Sequence, residues 1–81
     1  MQDAEIKTII ESSFKPYHCG VEIMLASETF TNELRFRVSN IDDTLNYEDT
    51  ADLKVVRESL NQLIPIWRRE AEKRGFKLDP V

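Results

Sequence analysis

The chain has 81 residues, 41% of them hydrophobic and 32% charged, which is the composition of a folded globular domain and not of a disordered segment. It carries a formal net charge of −4, which argues against a general affinity for nucleic acid, and one cysteine, which excludes an internal disulfide. No apolar run approaches the ~20 residues a membrane span requires, so no membrane association is expected.

A single small domain, 1–81, is expected. A chain this short buries a modest fraction of its surface, and a disulfide, a metal or a second subunit usually supplements such a core. Cys19 and His18 fall short of the ligand set of a structural zinc. Elimination therefore favours self-association, as a homodimer, or docking on a larger protein. The opening Met-Gln-Asp-Ala-Glu lacks the basic and apolar regions of a secretory leader. With one unpaired cysteine, this sets the expectation of a reducing, cytoplasmic setting.

Asp3 is the expected N-cap of a first helix over 3–13, because Ile6, Ile9, Ile10 and Phe14 follow helical spacing. Pro16 pushes Lys15 out of helical geometry, leaving 15–20 as a connector. Two alternating stretches follow: Val21, Ile23 and Leu25 against Glu22, Met24 and Ala26, then Leu34, Phe36 and Val38 against Arg35 and Arg37. These read as a half-buried antiparallel hairpin with Glu22 facing Arg35 and Arg37 across the strands. The segment between them is too long for a tight turn, and Phe30 within it is a candidate exposed aromatic.

Residues 39–49 are polar and acidic, with Ile41, Leu45 and Tyr47 as anchors; a short third strand at 45–47 stays open as an alternative. Thr50 is expected to cap a long helix to Arg74, along which Leu53, Val56, Leu60, Leu63, Trp67 and Ala71 line one side. Pro65 lies inside it and predicts a kink near 61–64 or a break into two helices. Gly75 ends the helix, and 76–81 reads as a flexible tail. The expected class is α+β, helix-strand-strand-helix, with the hairpin packed against a short N-terminal helix and a long kinked C-terminal one.

No constellation here carries chemistry. His18 and Cys19 are adjacent, so in extended backbone they point to opposite faces and make a poor nucleophile–base pair. Ser12 and Ser13 have no second histidine to activate them. The acidic run from Asp42 to Asp52 lacks the central glycine and the ligand spacing of a calcium loop. Gly20 and Gly75 alone make no phosphate cradle. The reading assigns no catalytic, cofactor-binding or metal-binding residue and no small-molecule substrate.

Two candidate surfaces remain on the long helix. Leu60, Ile64, Trp67 and Arg68 combine apolar bulk with an arginine, a composition enriched at interface hot spots. The cations Arg68, Arg69, Lys73, Arg74 and Lys77, with Glu70 and Glu72 among them, form a basic end. That end complements the helix dipole and is the candidate nucleic-acid contact of the alternative reading.

The segment Ile10-Glu11-Ser12-Ser13-Phe14-Lys15-Pro16-Tyr17-His18-Cys19 resembles the opening of a domain-of-unknown-function family of short uncharacterised bacterial proteins. Its members look like Ile-Glu-Ser-x-Phe-x-Pro-x-x-Cys followed by strands and a C-terminal helix. The resemblance implies that element order and a bacterial setting, and it carries no activity. This chain departs from the family by a shorter strand region and an acidic insertion before the last helix. The functional expectation is a small cytoplasmic protein–protein interaction module and not an enzyme. The alternative is a nucleic-acid-binding regulator.

Overall fold

The structure, a computed structural model, describes residues 2–25 and 32–80. The elements run α1 (Asp3–Ser13), β1 (His18–Met24), β2 (Glu33–Ser39), β3 (Asn46–Asp52) and α2 (Leu53–Lys73). The class is α+β, and the expected hairpin and both helices form. However, β1 begins at His18, inside the expected connector, and ends at Met24, leaving Leu25 outside the strand and exposed. Phe30 lies outside the described residues.

The sheet has a full third strand, and its order is β1-β2-β3, antiparallel throughout. β3 takes in residues read as acidic loop and as the first turn of the helix. Its inward positions are Tyr47, Asp49 and Ala51, so the alternation is present but carried mostly by polar residues. Thr50 lies in this strand opposite Arg35. The cap of α2 is therefore Asp52, whose Oδ1 accepts from the Lys54 N–H at 2.8 Å; such a cap contributes about 1 kcal/mol. At the other helix, the Asp3 side chain makes no cap, and Gln2 holds the N-cap position without a side-chain bond. Asp3 instead pairs with Arg57 at 2.9 Å and ties α1 to α2.

Both helices lie on one face of the sheet, α1 chiefly over β1 and α2 over β3 and β2. Between them sit Ile6, Ile10, Phe14, Val21, Leu34, Phe36, Val38, Leu53, Val56 and Trp67. Phe36 is the hub, its ring 5.4 Å from Phe14, 5.6 Å from Tyr47 and 4.7 Å from Trp67. Burying side chains of this size stabilises by about 1.5–3 kcal/mol apiece.

The break in α2 falls at Ser59 (φ −132°, ψ 24°), not at 61–64. Pro65 removes the bond to the Asn61 carbonyl, and the ladder is released upstream of that point, leaving Pro65 in the second turn of the downstream segment. The helix closes with Gly75 at φ +101°, its N–H donating to the Glu72 carbonyl while Phe76 N–H reaches the Ala71 carbonyl. This is the paired-bond stop that a left-handed glycine permits.

Beyond it, residues 76–80 dock on the domain, where a flexible tail was expected. Phe76 is 2% exposed and meets the Tyr17 ring edge-on at 4.8 Å. Lys77 N–H donates to Tyr17 Oη at 2.9 Å, and Asp79 N–H donates to the Lys15 carbonyl at 2.9 Å. The Schellman stop turns the chain so that Phe76, the next apolar residue, faces back into the core.

Candidate interaction surface

The apolar stripe of α2 faces the chain's own sheet, which removes most of the interface predicted there. Leu60 and Trp67 are 3% and 4% exposed and offer no surface to a partner. Ile64 is half-buried against the same core. Arg68 reaches across the fold, its guanidinium donating to the Ser13 carbonyl and, at 2.6 Å, to the Asp79 carbonyl.

The basic end is similarly engaged. Lys73 and Arg74 reach the Glu70 carboxylate at 3.2 and 3.3 Å and hold its pKa below the usual carboxylate value. Arg74 also lies over the Tyr47 ring, 4.7 Å from its centre. Of the five cations, Arg69 and Lys77 alone have side chains unengaged among the described residues. Two such cations make a weak footprint for a polyanion.

Cys19 and His18 fall on opposite faces of β1, as adjacent strand residues must, with Cys19 turned into the core and His18 exposed. Burial, with a smaller contribution from the nearby Glu11 carboxylate, pushes the Cys19 thiol from its ordinary 9.0 up to about 12. The folded protein keeps the proton that the unfolded chain gives up, so stability is retained below pH 9 and lost as pH rises towards 12. Alkylation by iodoacetamide at pH 8 should be slow in the native protein and fast in denaturant, read by mass spectrometry. Equal rates would mean that Cys19 is accessible.

Among the described residues, exposed surface also includes Val55 and Ile66 on α2, the outer face of the sheet and its two edges. The outer face carries His18, Glu22, Glu33, Arg35, Arg37, Asn46, Glu48 and Thr50, all exposed. Glu22 stands opposite Arg35 in register, but Arg35 turns to Glu48 at 3.7 Å and Arg37 to Asp43 at 3.5 Å. A hollow of about 440 Å³ opens over Gly20, between Glu22, Arg35, Arg37 and Glu48. A larger cleft of about 780 Å³ lies at the end of the sheet, between Pro16–His18 and Ser39–Asp43. Among the described residues no group of His, Cys, Asp or Glu is arranged to hold a metal ion.

The edges differ in a way the sequence reading missed. β3 presents Glu48, Asp49 and Asp52 along its length, and the Thr50 N–H is already taken by Asp49 Oδ1 at 2.8 Å. Acidic residues and self-satisfied donors are how edge strands repel further pairing. β1 is His-Cys-Gly-Val-Glu-Ile-Met, with one acid. Among the described residues, none of 18–24 makes a main-chain hydrogen bond outside its pairing with β2. The signal was in the sequence: Cys19 shares the parity of Val21 and Ile23, so the strand extends back to His18.

No protein-family model, no curated protein and no solved structure matches this chain. Among the described residues no helix is long and apolar enough to cross a membrane.

Proposed function

We propose that this protein is a small cytoplasmic protein–protein interaction module that binds by adding a strand to the free edge of β1. The observation that carries the reading is the asymmetry of the two edges: β3 is guarded by carboxylates and by the Asp49–Thr50 bond, and β1 is not. Main-chain hydrogen bonds supply affinity in this mode, and alternate side chains supply specificity. The docking surface is thus moved from Leu60, Ile64, Trp67 and Arg68, which the core consumes, to the strand edge.

Affinity capture from lysate of the source organism, with and without nuclease, tests this, with the native chain compared with Gly20→Glu. Gly20 has open space where a side chain would begin and stands opposite Arg37, so the variant charges the edge without crowding the fold. A protein recovered by the native chain and lost by the variant supports edge pairing. Equal recovery by both overturns it, and recovery that nuclease abolishes would favour the basic helix end instead.

A further inference from the structure

We infer that the strand added at β1 is β1 of a second copy, paired antiparallel with Gly20 on the two-fold axis. The inference rests on the edge-pairing reading above and names its occupant.

The argument begins with register. Two identical strands pairing antiparallel keep their apolar faces on one side only if residues of like parity stand opposite, so the axis must pass through a residue. An axis through Glu22 sets two carboxylates against each other. An axis through Val21 sets Glu22 against Gly20, with no partner for the carboxylate. An axis through Gly20 sets Glu22 against His18 of the second copy, an acceptor against a donor, at both ends of the pairing. It also sets Val21 against Cys19 on the inner face, large against small, where both are buried. At the axis two glycines meet, each with nothing within 4 Å of the missing side chain.

The surface above this edge points the same way. Each residue turns a helix by about 100°. Asp3 reaches Arg57, so it marks the α2 flank of α1, while Ile6 and Ile10 mark the core line. On that wheel Ile9 falls on the other flank, above the free edge of β1. Ile9 is only half-buried, leaving part of an apolar side chain uncovered on that flank. Pairing through β1 gives a continuous six-stranded sheet and brings this flank of α1, with Ile9, towards its symmetry mate.

The test uses the purified full-length chain. Light scattering at about 100 μM, where mass action favours association, should give the dimer mass. In a Cys19→Ala background, Gly20→Cys should become disulfide-linked on mild oxidation, because directly opposed residues lie within disulfide reach. Glu22→Cys should not. Gly20→Glu should weaken the dimer about tenfold or more, since like charges then meet at the axis. Its thermal midpoint measured as a monomer should not fall, because Arg37 stands opposite.

A monomer mass overturns the second copy as occupant. The lysate comparison still decides edge pairing by itself, so the two failures are distinguishable. A dimer that Glu22→Cys links, or that Gly20→Cys leaves unlinked, overturns this register.

Discussion

Trp67→Ala should unfold much of the protein at 37 °C. The ring is 4% exposed and lies 4.7 Å from Phe36, which is itself in contact with Phe14 and Tyr47. Removing it takes away transfer energy and leaves a cavity beside the Phe36 ring, at a cost of about 3–5 kcal/mol. Small domains sit at the lower end of the ~5–15 kcal/mol stability range. At about 4–8 °C per kcal/mol, the thermal midpoint should fall by roughly 12–40 °C, as followed by far-ultraviolet circular dichroism. A variant that melts like the native protein but associates more weakly would return Trp67 to the interface. Trp67→Phe keeps most of the ring contact and should lose much less.

Phe76→Ala should cost about 3 kcal/mol, although the residue lies three positions beyond the last helix. Its ring is 2% exposed and closes the end of the core against Tyr17. With a urea dependence of about 1 kcal/mol per molar for a chain of this size, the unfolding midpoint should drop by roughly 3 M. Lys77→Ala, which removes only an exposed side chain, should stay within about 0.5 kcal/mol of the native protein. A Phe76→Ala midpoint equal to that of Lys77→Ala would mean that 76–80 hangs free.

These two residues mark where the sequence was legible. Trp67 lies on a run with three-and-four spacing, and such spacing specifies a buried face directly. It leaves open whether the cover comes from the same chain or another; the sheet fills that place because β3 widens it. β3 was hard to read because four of its seven residues are Asn46, Glu48, Asp49 and Asp52. A strand whose inner face includes an aspartate has a weak alternating signal, and its pairing is decided by tertiary contact with β2. Phe76 was hidden by its position after Gly75, since a helix stop says where the helix ends and nothing of where the chain goes next. The edge asymmetry needed the strand order, which alternation alone does not supply.

The break at Ser59 divides α2 into a short segment, 53–58, and a longer one that carries Trp67. Fewer than two turns of helix do not persist in water by themselves. That segment is held by Leu53 and Val56, both fully buried against the sheet, and by the Asp3–Arg57 pair to α1. It behaves as a splice and not as a strut: it has order only while the sheet and both helices are assembled around it. Loss of any one of them releases it, so the first helical turns after β3 have no independent melting of their own and bind the separate elements into a single cooperative transition.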